Sequence, residues 1–432
     1  MHHGFPLFIL ILGLQCASAD FKYQQTILID GNWTAATRID TGGSMTLLAP
    51  PPIENDLANN DASPEIIRIN PLGGVEWKRI FSNMALGATK VDAGWHGEVY
   101  AAGTTALFNS SIALMKIDGY NNEQWLRSKS FLFTNHTIQV AFINIDPAGS
   151  CWVTTQRTDG EGYFLTRFNT QGIELWTRSY AEGQNIQLIE SATDKALNYV
   201  LAGRIVDETG TSQTFLTKLD QNGQLVWTTQ KEELKLFVNT TKLRLEVDSV
   251  GNIAVAVPRP DNGTHESSIF IIKMDVNASE IWSVEVGTKG TDTLFDILVD
   301  SNDHIVVVGL TDVAKNKVIV DIPPYIDVIL WQLNSDNGDI ISIAYVRDPY
   351  NELEGVYNAA MDTNRDAVWV IGMRRPKIYS VDSQEDEPAK TFLMEFTYAD
   401  PELPLDMVKT IYHIFISLFA VGLVVVGILT TV

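Results

Sequence analysis

Cysteine is almost missing from this chain. Only Cys16 and Cys151 occur in 432 residues. The first lies in a leader-like apolar segment, so the rest carries one thiol and cannot form an intramolecular disulfide. A domain of this length does not need one, because it buries a large core. Cys151 precedes Trp152 in an apolar strand and reads as a buried, inert thiol. Positive charge is also scarce: 31 basic residues face 53 acidic ones, a formal charge of −22. That balance excludes a nucleic-acid partner and adhesion of the globular part to anionic lipid. The acidic excess reads as an ordinary solvated surface. Signatures of chemistry are missing as well. The histidines outside the leader, His96, His136, His265, His304 and His413, show neither HExxH nor i,i+4 pairing, which argues against zinc. There is no GxSxG, P-loop or strand-linked GxGxxG. Asp300 to Asp303 hints at calcium ligation but lacks the glycine and distal glutamate of a calcium loop, and reads as a turn. No cofactor or metal site is expected.

What the chain does have is a repeat. Its clearest copy is TFLTKLDQNGQLVW, Thr214 to Trp227. Residues alternate in and out with the period of a strand. Asp220 to Gly223 is turn chemistry, and Trp227 follows seven residues after Asp220. Further copies end on Trp77, Trp125, Trp176 and Trp282; a sixth has Ile341 at that place, and a seventh begins as TFLMEF at Thr391 and is not completed. A second motif interleaves with the first: an apolar stretch, an Asp, a tight turn and another apolar strand. Its aspartates are Asp40, Asp92, Asp146, Asp194, Asp248, Asp300 and Asp362. Trp-to-Trp steps of 48, 51, 51 and 55 residues with four strands per period predict an all-β fold, a seven-bladed β-propeller of four-stranded antiparallel blades. The aspartates are expected to cap turns and the tryptophans to pack between blades.

The K-h-D-x-x-G-x-x-x-W run resembles the bacterial-type β-propeller repeat family and, more distantly, the quinoprotein-like propeller superfamily. The resemblance covers roughly residues 36–398. It implies the architecture and says almost nothing about activity. A quinoprotein would carry eight Trp-docked blades and a metal-assisted quinone site. This chain shows seven units, so the resemblance brings no cofactor with it.

The ends read differently from the middle. Residues 1–19 resemble a secretory leader, with an apolar run from Phe5 to Leu14 and small residues Ala17-Ser18-Ala19. Residues 20–398 form the propeller ectodomain, and its first strand (20–29) is expected to close the incomplete seventh blade, since an open edge invites foreign pairing. Residues 399–410 make a Pro-containing spacer. Residues 411–432 are apolar throughout and long enough for a transmembrane helix. A cleaved leader and such a span give a single-pass type I membrane protein; a GPI-attachment signal is the alternative reading of the same tail. Six sequons, at Asn32, Asn109, Asn135, Asn239, Asn262 and Asn277, fit a glycosylated luminal domain. By strand parity all but Asn277 belong to the long-loop face, which turns away from the anchor.

The inner strands read ATRI, ATKV, FINI, ESAT, RLEV, DILV and NAAM before the repeat aspartates. They suggest a packed channel poorly suited to catalysis. The expected function is therefore a non-enzymatic ectodomain in the secretory-pathway membrane, at the cell surface, that recognises a protein or glycan partner. The rivals are a propeller enzyme acting on sugars, a hydrolase or lyase, and a luminal scaffold or cargo protein. An acidic cluster inside the channel mouth would favour the enzyme.

Overall fold

The computed structural model describes residues 21–398 apart from 31, 32, 34, 37, 38, 50–64, 82–89, 105–110, 132–136, 207–211, 232, 233, 235–241, 261–266, 289, 312–326, 348–352 and 375–389. The segments expected as leader, spacer and transmembrane helix lie outside the described residues, as do Asn32, Asn109, Asn135, Asn239 and Asn262. Among the described residues there is no α-helix, and no helix long and apolar enough to cross a membrane.

The chain opens with β1 (Phe21–Asp30). Then come β2 (Ala35–Ala36), β3 (Met45–Leu48), β4 (Glu65–Ile69) and β5 (Val75–Ile80), followed by β6 (Lys90–Ala93), β7 (Val99–Thr104), β8 (Ser111–Ile117) and β9 (Glu123–Ser130). The middle holds β10 (Ile138–Ile145), β11 (Cys151–Arg157), β12 (Glu161–Phe168), β13 (Glu174–Thr193), β14 (Tyr199–Val206), β15 (Ser212–Leu219) and β16 (Leu225–Gln230). The remainder is β17 (Arg244–Val247), β18 (Ile253–Pro260), β19 (Ser267–Met274), β20 (Glu280–Val286), β21 (Asp292–Val299), β22 (Ile305–Thr311), β23 (Asp327–Leu333), β24 (Ile340–Arg347), β25 (Leu353–Asp362), β26 (Ala367–Arg374) and β27 (Lys390–Tyr398).

Among the described residues these strands form seven antiparallel meanders of four, hydrogen-bonded in chain order. The 20-residue β13 serves two of them: it pairs with β12 and, from Ile186 onward, with β14. The last meander has three strands of its own, and β1 supplies the fourth. Phe21 to Asp30 run antiparallel against Tyr398 to Lys390, which covers an edge that β27 would otherwise present.

Burial explains the sequence pattern. β23 is buried along its whole length, because a middle strand is covered on both faces by neighbouring sheets, and it is apolar from Val328 to Trp331. The outer strands β5 and β16 alternate between exposed and half-buried positions. Seven apolar clusters fill the seven junctions between consecutive meanders. One joins Val306 and Val308 of β22 to Val368 and Val370 of β26. Another joins Met45 and Leu47 of the first meander to Trp369 and Ile371 of the last, so the order returns to its start. From β6 round to β25, and from β25 to β2, the first strand of each meander touches its counterpart in the next, and β6 meets the first meander at β3. This is a β-propeller with the first strands lining the axis.

The repeat residues hold the blades in register. Trp77, Trp125, Trp176, Trp227 and Trp282 each donate their indole N–H to a carbonyl in the last hairpin turn of the following blade, at 2.9–3.1 Å. The turn glycine Gly223, at φ +73°, lies so close to the Trp176 ring that a Cβ there would approach it to 2.8 Å. Apart from Asp92, the aspartates accept backbone N–H bonds from their own turns, as Asp146 does from Ala148 (3.0 Å) and Ser150 (2.9 Å). They also meet a buried cation from the third strand of the same blade: Arg68 with Asp40, Arg167 with Asp146, Lys218 with Asp194, and Lys273 with Asp248. That cation is the Lys or Arg two residues before the Asp or Asn of the Trp motif. The last two blades vary the pair. Asp300 takes the neutral Gln332 at 3.0 Å, with His304 Nδ1 at 3.1 Å. In the last blade the third-strand residue is Glu395, and Arg365, from the turn itself, bridges it to Asp362. Asn277, the one sequon among the described residues, is exposed in the turn between β19 and β20.

Candidate functional site

The first strands run toward the tight turns, so positions counted back from the turn descend into the channel. β10, β13, β21 and β25 each carry a register irregularity at the same depth: Val140/Phe142, Leu188/Glu190, Leu294/Asp296 and Val356/Asn358. An extra residue there re-aims the next side chain. The residues four before the turn are then Phe142, Glu190, Arg244, Asp296 and Asn358. Two before it stand Asn144, Ala192, Glu246, Leu298 and Ala360.

A cavity of about 510 Å³ occupies this channel. Its depth is lined by Glu190, Arg244, Asp296 and Asn358, and its middle by Asp92, Asn144 and Glu246. Its rim is made by turn residues, among them Trp95, Pro147, Lys195, Ser249, Ser301 and Thr363, so it opens on the tight-turn face. The packed apolar channel expected from the sequence is corrected here: the first letters of ESAT, RLEV and DILV project into open space as a carboxyl, a guanidinium and a carboxylate.

These three groups form one constellation. Arg244 Nη1 donates to Glu190 Oε2 at 3.2 Å, and its Nε lies 3.7 Å from Asp296 Oδ1. The guanidinium is fixed by the carbonyls of Phe295 and Leu243. Asp296 accepts from the Ala359 and Ile297 amides at 3.0 Å each. Among the described residues Glu190 has only the Ser191 amide at 3.2 Å besides the arginine. Burial pushes the Glu190 carboxyl from 4.5 up to about 7 against the pull of Arg244, and the negative charge of Asp296 adds to the rise. Burial raises Asp296 too, opposed by Arg244 and the two amides. Burial thus raises both carboxyls, and they differ in backbone support: Glu190 accepts from one amide and Asp296 from two. Perturbed groups converging in a cavity mark a reactive site.

The repeat aspartates take other places. Asp194, Asp248 and Asp300 border the cavity, but their carboxylates are committed to their turns and, for the first two, to a buried lysine, for the third to Gln332. In the second blade the turn hydrogen bonds fall on Gly94, so Asp92 sits two residues earlier, at the level of Asn144. It accepts from the Ala93 amide (2.8 Å) and the Ile145 amide of the next blade (2.7 Å). Asp300 Oδ1 caps its turn by accepting from the Asn302 and His304 amides. Cys151 is fully buried, and burial raises its thiol. Among the described residues no group of three or more His, Cys, Asp or Glu could hold a metal ion. Glu190, Arg244 and Asp296 were missed as a set because each lies in a different repeat. A comparison by offset from the turn, instead of by average polarity, would have found them.

No family model matches the chain, and no curated protein matches it in sequence. Solved structures do. The polysaccharide lyase Uly1 superposes with a TM-score of 0.51 at 7% identity, over 86% of this chain and 91% of that one. A PL25 ulvan lyase bound to a disaccharide repeat gives 0.48 at 10% identity, over 85% and 95%. A puromycin hydrolase gives 0.44 at 16% identity; 82% of this chain matches, and it spans only 52% of the hydrolase. The first of these supports the propeller fold. The expected non-enzymatic recognition ectodomain rested on a packed, apolar channel, and the open channel lined by Glu190, Arg244 and Asp296 overturns that ground.

Proposed function

We propose that this chain is a propeller enzyme that hydrolyses a neutral glycan in its channel mouth. The observation that carries it is the Glu190–Arg244–Asp296 constellation, with one carboxyl half-protonated near neutrality inside a cavity of about 510 Å³. Two carboxyl groups facing one cavity, bridged by an arginine and unequally supported by backbone amides, can supply an acid and a base for cleaving a glycosidic bond. Glu190 gives its proton to the glycosidic oxygen as the bond from the anomeric carbon to that oxygen breaks. Asp296 takes a proton from the attacking water as its oxygen bonds to the anomeric carbon. One water is consumed, and the proton on Asp296 returns to Glu190 through solvent. Arg244 orients both carboxyls.

The substrate class follows from the like-folded polysaccharide lyase and from the charge of the cavity. Asp92, Glu190, Glu246, Asp296 and Asp303 outnumber Arg244 and Lys195 along its lining. A uronate chain would be repelled, whereas elimination requires its carboxylate to be neutralised. Hydrolysis of an uncharged chain fits better. The leader and the apolar tail would place this activity in the secretory lumen or outside the cell, held by a single span or a lipid anchor. The test is release of reducing ends from neutral polysaccharides by the full-length chain in mild detergent. Glu190→Gln should lower turnover by at least about a hundredfold. Undiminished turnover in that variant, or none by the native chain on any glycan, overturns the reading.

A further inference from the structure

The second blade departs from the repeat at the cavity rim, and the departures are connected. Gly94 accepts from the Gly97 amide (3.2 Å) and donates to the Glu98 carbonyl (2.8 Å). Asp146, Asp194, Asp248 and Asp300 make the same bonds in their own blades. Glu98 has taken over the work of the missing aspartate. Its Oε2 accepts from the His96 amide at 3.1 Å. It also supports the charge of Lys116, the third-strand cation whose pKa burial lowers. Glycine leaves room for this arrangement: a Cβ at position 94 would lie 2.5 Å from the Glu98 carboxyl carbon, and the Glu98 side chain would have to move.

The rearranged turn carries Trp95. The other turns bordering the cavity place Pro147, Lys195, Ser249, Ser301 and Thr363 at this position. Trp95 is half-buried, and its carbonyl accepts from the Thr41 amide of the first blade at 3.0 Å. A local break in a repeat rule that sets a large ring on a cavity rim is expected where function lies. A rim indole offers an apolar face to the C–H face of a pyranose while the polar edge of the sugar stays wet.

The geometry points to Trp95 as a stacking platform that positions a neutral glycan for Glu190. This rests on the hydrolase reading, and its test separates the two. The full-length chain carrying Glu190→Gln, in mild detergent, is titrated calorimetrically with hexasaccharides of cellulose, mannan, xylan and chitin, and with hexagalacturonate. At least one neutral hexasaccharide should bind more tightly than the acidic one. Trp95→Leu in the same background should weaken it by about tenfold or more, and Trp95→Phe by less. Should the leucine variant fail to fold, indole emission decides: the change on ligand addition should vanish in Trp95→Phe. Equal binding with leucine, emission unchanged by the phenylalanine substitution, preference for the acidic chain, or no binding at all each overturn the platform. Trp95-dependent binding without turnover by the native chain sinks the hydrolase and spares the platform; turnover with Trp95-independent binding does the reverse.

Discussion

Glu190→Gln should stabilise the protein at pH 8 and leave it almost unchanged at pH 4.5. The folded-state carboxyl titrates near 7, against 4.5 for the free group. Between those values the folded chain holds a proton that the unfolded chain has released. Stability from this group is therefore complete below about 4.5 and declines until the pH passes about 7. At about 1.36 kcal/mol per pH unit, the interval sets a ceiling of about 3 kcal/mol. The Glu190 side chain keeps 26% of its surface open, so solvent screening reduces that to about 1–2 kcal/mol. With about 2 cal/mol/K of unfolding entropy per residue over roughly 380 residues, this corresponds to a Tm difference of about 1–3 °C. Glutamine keeps an oxygen to accept from Arg244, so the ion pair is not traded for a bare guanidinium. Differential scanning fluorimetry of both proteins from pH 4 to 8.5 reads the effect. The Tm gap should open between pH 4.5 and 7 and then stay level. A gap that is constant across the range, or that opens downward in pH, would refute the assignment of Glu190 as the neutral-pH proton carrier.

Lys273 and Asp248 form a buried pair, each side chain 1% exposed, so Lys273→Ala should cost about 3–5 kcal/mol by stranding the carboxylate. Lys273→Met with Asp248→Asn should recover much of that in urea denaturation, and equal losses in both variants would argue against the pair. Gly223→Ala must push a Cβ against the Trp176 ring at 2.8 Å in addition to adopting a φ of +73°. Gly183→Ala has the same φ and no atom within 4 Å, so it should lose only the strain of about 1 kcal/mol, and the two midpoints should differ clearly. Deleting residues 20–30 should expose the edge of β27 and give aggregates by light scattering; a monomeric product with unchanged melting would mean that the β1 pairing is dispensable.

The repeat was legible because strand period, turn chemistry and Trp spacing are local properties, set by residues a few positions apart. Each copy of the K-h-D-x-x-G-x-x-x-W run already encodes a hairpin, and the unfinished seventh copy pointed to an N-terminal strand. The partner of each turn aspartate was harder to see. Asp248 and Lys273 meet only because β18 folds back on β19, so their pairing depends on register across three strands. The channel was misread for a related reason. Average polarity made ESAT, RLEV and DILV look bland, whereas the irregularities before Glu190, Asp296 and Asn358 decide which side chains face the axis. Counting the second blade from Asp92 also put it two residues out of phase, and only the turn hydrogen bonds on Gly94 restored the alignment that reveals Trp95 at the rim. The sequence by itself determined the strands, their turns and the number of repeats, because these follow from neighbouring residues. Tertiary structure alone decided that Glu190, Arg244 and Asp296, each more than fifty residues from the next, share one cavity, because a closed ring brings equivalent positions of separate blades to a common axis.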